Sequence, residues 1–407
     1  MTTPTRLAPF PLTDPAQITD PYPQYRHCRE TDPVHRVPST DGGPDTSYLF
    51  RYDDVSRLLR AKQAGREPPP GATPLIPARY GTLRQVVADW LVFLDPPRHT
   101  LLRAVVAQRF TAGMIEDLRP RIERLAHSLT SELRRHDHAD LVEGFAAPLP
   151  ILVISELLGI PAADRRWIRA QALALQRANS SRGGDPDRRF SAAQSAARQL
   201  LGYFSDEIGR RRRAPRRDLI THLVTADPSG APPMTDDEIA ATSIHLLTAG
   251  HETSTNLIGK AVLALLPRTG LCEQVRSGGL TLDAVDELIR YDAPVQMVTR
   301  WMREPLLVDG HEIPAGSRAV LVLGSANRDP AYVPDPDRLD LHRTAGRHLG
   351  FGLGIHYCLG AALARAEAQI GLTALFRDLP GLSLAGPPAY ADDLVFHGPS
   401  RVPIRTR

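Results

Sequence analysis

The chain has 407 residues, of which 42% are hydrophobic and 23% charged, with a formal net charge of +3. This balance excludes a disordered chain, and so mild a charge argues against a dedicated nucleic-acid surface. A chain of this length buries about three quarters of its unfolded surface, enough to enclose a bulky ligand completely.

The N-terminal stretch MTTPTRLAPFPLTDPAQITDPYPQ is polar and broken by prolines. It carries no charged start, apolar core and cleavage site in series, so no secretory signal is expected. No run reaches the roughly 18 apolar residues of a membrane helix, and even PLPILVISELLGIP is interrupted by Glu156 and prolines. A soluble, cytoplasmic protein with neither nucleic-acid nor membrane partners is the expectation. Cys28, Cys272 and Cys358 are odd in number and far apart, which gives no disulfide framework.

A short helix is predicted around PYPQYRHCRE, followed by a small sheet where VHRV and TSYLFRY alternate apolar and polar residues. Residues 61–82, rich in Pro and Gly, predict a long irregular loop, which in a compact domain is a binding or lid segment. Helical periodicity dominates from about residue 98 to 210, broken by NSSRGGDPD at 179–187. The basic run GRRRRAPRR at 209–217 lacks interleaved aromatics and reads as a solvated helix end and loop, with docking of an acidic partner as the alternative. The longest predicted helix spans 235–266. Thr235 and Glu238 form a capping box at its start, and Pro267 stops it. At 1.5 Å per residue it would cross roughly 45 Å, the width of the whole domain. A shorter helix ends in DELIRYDAP at Pro294, and GHEIPAGSRAVLVLGSANRDP then carries strand alternation and turns. The fold class read from these elements is mostly α with small β-sheets. No repeat or linker divides the chain, so one domain over residues 1–407 is expected.

Near the C-terminus, FGLGIHYCLGAALAR (351–365) leads a glycine-rich loop into an Ala/Leu-rich helix. Gly352 and Gly354 permit a tight loop whose N–H groups turn toward the sulfur of Cys358. The helix begins just behind Cys358, and its positive end favours thiolate over thiol. Gly360, without a side chain, lets a flat ring come close. Zinc would need three or four ligands, and only His356 is near. A prepared thiolate flanked by glycines and faced by Phe351 suits an axial ligand of haem iron.

The segment resembles the haem-binding signature of cytochromes P450, F-x-x-G-x-H-x-C-x-G. The resemblance implies the cytochrome P450 fold, a single triangular-prism domain, and haem b as cofactor. It also implies Cys358 as the metal ligand, with Phe351, Gly352 and Gly360 beside the ring. The second mark of the family is Glu-x-x-Arg, met here as Glu287 and Arg290, whose i, i+3 spacing places both on one helical face. The resemblance makes this a buried pair that holds the haem scaffold. The third is AGHET at 249–253 in the middle of the long helix. Gly250, with a threonine bonding back to the preceding turn, would open the helix locally. The resemblance places Ala249 and Gly250 over the iron and makes Glu252 and Thr253 an acid–alcohol pair that relays protons. His251 would add a titratable group to the substrate pocket. His99 and Arg103, spaced i, i+4, match family positions that contact the haem propionates, and so do Arg300 and His356.

Outside these motifs, PDTSYLFRYDDV, DWLVFLDPPRHT, DLVEGFAAPLPILVISELLGIP, GSANRDP and ADDLVFHGPSR are similar to the P450s of staurosporine and rebeccamycin biosynthesis. That similarity implies oxidative aryl–aryl coupling, with decarboxylation, of chromopyrrolic acid or a chlorinated analogue, towards an indolocarbazole. Ferredoxin and ferredoxin reductase would supply electrons, and a flavin monooxygenase would act on the product. A small aromatic dicarboxylate needs cations in an apolar pocket. Arg66, Arg79, Arg177 and Arg182 lie in loops that could supply them; Arg66 is the choice, with Val395 and Phe396 enclosing a ring. Two other readings stand beside this one. The first is an ordinary hydroxylase or epoxidase of another secondary metabolite. The second is a non-catalytic haem–thiolate sensor, which would not need Glu252 and Thr253.

Overall fold

Eight helices and one sheet position the site in this computed structural model, which describes all residues except 1–9, 11, 13, 40–42, 73–75, 177, 179–184, 227–231 and 345. We number the strands of the sheet β1 (Val34–Val37), β2 (Thr46–Leu49), β3 (Ala64–Gly65), β4 (Val298–Met302) and β5 (Arg318–Leu321). The helices are α1 (Arg98–Ala107), α2 (Ala112–Leu133), α3 (Pro148–Leu157), α4 (Arg165–Gln176), α5 (Pro186–Arg213), α6 (Asp236–Leu265), α7 (Leu282–Tyr291) and α8 (Ala361–Asp378). The mostly helical class with small sheets is what the chain adopts. Among the described residues no helix is long and apolar enough to cross a membrane.

The sheet runs in the order β1-β2-β5-β4-β3. Its β2–β5 pair is parallel, with Leu49 opposite Leu321, and the other pairs are antiparallel. A hairpin after β4 turns at Asp309 and Gly310, both at positive φ (47° and 77°), as a two-residue turn between twisted strands requires. The loop predicted at 61–82 is not wholly irregular. Ala64 and Gly65 pair with Met302 and Trp301 as an edge of the sheet, and a helix (Gly81–Ala88) begins before the loop was expected to end.

Helix α6 begins with its capping box made in full: Thr235 Oγ accepts from the Glu238 N–H, and Glu238 accepts from the Thr235 N–H. Its buried face meets α3, α5 and α8 within the main apolar core, which includes Phe145, Leu149, Phe204, Leu247, Val262 and Phe376. The middle of α6 breaks this burial. Ala249 is exposed, and Leu246, Gly250, Glu252 and Thr253 are half-buried, although the helix runs through the interior. Leu246, Ala249, Gly250 and Thr253, at i, i+3, i+4 and i+7, lie on one side, so α6 borders an internal hollow there.

The basic run at 209–217 departs from expectation. Arg211 is fully buried, paired with Glu207 and with Asp218 (2.6 Å), and donates to the Gly159 carbonyl at 2.9 Å. Each of its three nitrogens finds an acceptor, two of them carboxylates, which offsets the cost of burying the charge. Arg210 and Arg212 do reach solvent, paired with Glu207 and Asp236.

Candidate active site

The cysteine loop is held by its own backbone. Gly352 and Gly354 adopt positive φ (68° and 72°), and a Cβ on Gly354 would lie 2.6 Å from the Leu59 carbonyl oxygen, which excludes any other residue. The Cys358 N–H donates to the Phe351 carbonyl at 2.9 Å, closing the turn. Phe351 packs among His348, Tyr357 and the Arg365 guanidinium. Gly360 caps α8, and no atom lies within 4 Å of where its Cβ would be, so the space before the loop is open. Cys358 lies deep in the protein yet keeps accessible surface, as a side chain lining a hollow does. The expected preference for thiolate does not follow from the protein alone. Burial pushes the Cys358 thiol up, against the Gly360 N–H, Arg103 and Arg365, which pull it down.

Across the hollow stands α6. Ser254 donates to Glu367 of α8 at 2.7 Å, so the two helices are joined nine positions after Cys358. Thr253 Oγ donates to the Ala249 carbonyl at 2.9 Å, the expected bond to the preceding turn. It does not open the helix, which runs unbroken from Asp236 to Leu265. A Cβ on Gly250 would find Ile154 at 3.7 Å, an ordinary contact, so the small residue here leaves room without distorting the ladder. His251 points elsewhere. It is buried near Arg169 of α4 and the Ala147 backbone, and burial, helped by Arg169, lowers its pKa to about 4. The expectation that it adds a titratable group to the substrate pocket is therefore corrected: it is neutral and packed into the helical core.

A cation cluster flanks the loop. His99 of α1 is buried with neither ring nitrogen hydrogen-bonded, 4.3 Å (centroid to centroid) from the ring of His356. Arg103 donates to the Tyr357 carbonyl at 2.5 Å. Arg300 of β4, 5% exposed, donates to the Thr299 carbonyl at 2.8 Å. Burial is the main cause that lowers His99 to about 4 and Arg300 to about 9. Among the described residues no carboxylate lies within ion-pair distance of the Arg103 or Arg300 guanidinium. Asp95, which the sequence reading missed, organises the cluster. It accepts from the N–H groups of Arg66 (2.9 Å) and Glu67 (2.8 Å) and from Arg303 (2.6 Å), with His356 4.0 Å away. Burial alone would raise Asp95, but His356, these N–H groups and Arg303 hold it well below the usual carboxylate range. Its only signal in the sequence is its place at the head of DPPRHTLLR.

A family model for cytochrome P450 matches residues 279–379. The chain is 37% identical to the cytochrome P450 monooxygenase PikC of Streptomyces venezuelae over 396 residues, covering 95% of this chain and 91% of that one. It is 35% identical to the 6-deoxyerythronolide B hydroxylase of Saccharopolyspora erythraea, covering 95% and 96%. Among solved structures, that of the Bacillus subtilis bacillaene polyketide synthase P450 PksS superposes with a TM-score of 0.87 at 32% identity, over 97% of this chain and 100% of the other.

The chain belongs to the cytochrome P450 family. This P450 is a monooxygenase-type oxidoreductase with haem b as its cofactor. The residues fit that group. Open space lies before Gly360, accessible sulfur stands at Cys358, and buried cations beside them have only carbonyl partners, as two carboxylates on a flat ring require.

Glu287 and Arg290 form a fully buried pair through two bonds of 2.6 and 2.9 Å. Arg290 also donates to the carbonyls of Asn327 (3.0 Å) and Pro336 (2.8 Å), tying α7 to the segment that leads into the cysteine loop. Arg343, not anticipated from the sequence, adds a second guanidinium to Glu287 at 3.2 Å.

The residues expected at the substrate are scattered. Arg66 turns away from its loop, with Nε on the Val92 carbonyl (2.7 Å) and Nη1 on the Thr299 carbonyl. Arg79 is exposed and paired with Asp187. Arg177 and Arg182 lie outside the described residues. Val395 is half-buried and packs on one side against the cluster of Phe10, Tyr25 and Phe50. Phe396 is half-buried, bridges Val295 and joins none of the three apolar clusters.

Proposed function

We propose that this P450 inserts one oxygen atom into a bulky, mostly apolar secondary metabolite, as a hydroxylase or epoxidase, with Cys358 as its protein ligand to iron. The observation that carries the reading is the hollow bordered by Cys358 and by the accessible face of α6, where Leu246, Ala249 and Gly250 present apolar or small residues. The relatives support the substrate class: one is named a 6-deoxyerythronolide B hydroxylase, another a mycinamicin IV hydroxylase/epoxidase. Haem, when bound, supplies electron transfer and oxygen activation. Separate ferredoxin and ferredoxin reductase deliver the electrons. In the net reaction of hydroxylation one C–H bond is replaced by C–OH, and the second oxygen atom leaves as water with two protons and two electrons. The chain's own part is to hold the substrate against Ala249 and to deliver those protons. Thr253 presents its hydroxyl on the accessible side, and Glu252, the adjacent acid, recharges it.

The second reading is aryl–aryl coupling of chromopyrrolic acid, with a flavin monooxygenase downstream. The half-buried ring of Phe396 supports it. A diacid, however, needs cations facing the hollow, and Arg66 is engaged elsewhere, which favours a neutral substrate. The test is a turnover series with a macrolactone and with chromopyrrolic acid under labelled dioxygen. Oxygen insertion puts one labelled atom into the product; coupling removes hydrogen and adds no oxygen. Labelled macrolactone product supports the first reading. Unlabelled, ring-closed bis-indole as the only product overturns it.

A further inference from the structure

The cation cluster holds one guanidinium more than the family positions account for. The Arg66 backbone N–H is fixed on both oxygens of Asp95, 3.0 and 2.9 Å away. Its Nε donates to the Val92 carbonyl, and its guanidinium carbon lies 5.2 Å from the centre of the Phe93 ring. Its Nη1 donates to the Thr299 carbonyl, the same oxygen that takes Arg300 Nη1. Three contacts thus aim Arg66 at β4, beside Arg300, and both guanidiniums act on His356, two residues before Cys358. Asp95 acts on both guanidiniums from a distance, but its ion-pair partner among the described arginines is Arg303, and it also binds two backbone N–H groups. Two like charges largely withdrawn from water and sharing one neutral acceptor are unfavourable until an anion joins them. Haem brings two such anions, its propionates.

We infer that Arg66 is a haem-propionate ligand acting with Arg300, and not a substrate ligand. The inference rests on haem as the cofactor and is independent of which substrate is oxidised. Its test uses substrate-free holoprotein and follows haem transfer to excess apomyoglobin, so an error in substrate class leaves the result untouched. Arg66→Met should lose haem about tenfold faster than wild type, because one charge-assisted contact is removed. Arg66→Lys should recover part of the difference, and Arg79→Met, on an exposed ion pair, should match wild type. Reconstitution with haem dimethyl ester separates direct contact from loop collapse. If Arg66 meets a propionate, esterification speeds release from wild type but adds less in Arg66→Met. Where Arg66→Met folds poorly, the same comparison is made with Arg66→Lys. Unchanged haem release in the variants overturns the inference, and so do fully additive effects of ester and substitution.

Discussion

At Cys358, burial favours the neutral thiol, while the Gly360 N–H, Arg103 and Arg365 favour the anion. Burial wins in the protein alone, so the thiolate depends on a cation sharing the space, as a coordinating metal does. Cys358→Ser should therefore abolish the red-shifted carbon-monoxide difference band that thiolate ligation gives. Cys28→Ser and Cys272→Ser should keep it, since both are buried in the core whereas Cys358 keeps accessible surface. A normal band in the Cys358 variant would end the assignment. Thr253 is the second residue on which chemistry turns. With its hydroxyl lost in Thr253→Ala, product formed per electron pair should fall about tenfold, with peroxide making up the difference. His251 offers no substitute, being neutral and packed away from the hollow. Unchanged coupling would show that water alone carries the protons.

At the scale of elements, α7 shows how one buried carboxylate organises a whole segment. Glu287 takes Arg290, Arg343 and the Asp340 N–H (3.1 Å), while Arg290 reaches the Asn327 and Pro336 carbonyls. Glu287→Ala would leave Arg290 buried without its anion, at a cost of about 3–5 kcal/mol, enough to stop accumulation of haem-loaded protein. Arg343→Ala should cost only about 1 kcal/mol, because that side chain reaches the rim and water takes over part of its role. Urea midpoints of the haem absorbance would measure both. Equal losses would mean that Arg343, and not Arg290, carries most of what Glu287 contributes. The Glu287–Arg290 spacing was readable because both lie on one helix turn. Arg343 was not, because fifty-six residues separate it from its partner.

At the scale of the molecule, α6 and α8 are joined through Ser254 and Glu367, and the joint is pH-sensitive. Burial raises Glu367 from 4.5 to about 8, with the Ser254 hydroxyl opposing the shift. The folded chain therefore keeps a proton that the unfolded chain has lost. Stability from this group is complete below the unfolded pKa and falls as pH rises toward the folded one. Glu367→Gln should remove that slope. Between about pH 5 and pH 8 the wild type should lose stability relative to the variant, by an amount on the order of a few kcal/mol. Parallel urea midpoints across that range would show that Glu367 is ionised throughout.

Whatever depends on near neighbours is legible in the chain. Glycines at 352 and 354 dictate a loop with left-handed turns, Thr235 and Glu238 fix where α6 begins, and the i, i+3 pair on α7 follows from helix geometry. Which way long side chains turn depends on the packing of distant segments. Arg66 was expected over a substrate and Arg211 in solvent. Arg66 instead meets Thr299, more than two hundred residues away, and Arg211 meets Gly159. His251 likewise sits next in sequence to the proton-relay candidates but faces the opposite side of α6. A backbone's local conformation is set by steric terms that act within a few residues. The destination of a charge is set by the nearest acceptor in space, and that depends on how every helix is packed.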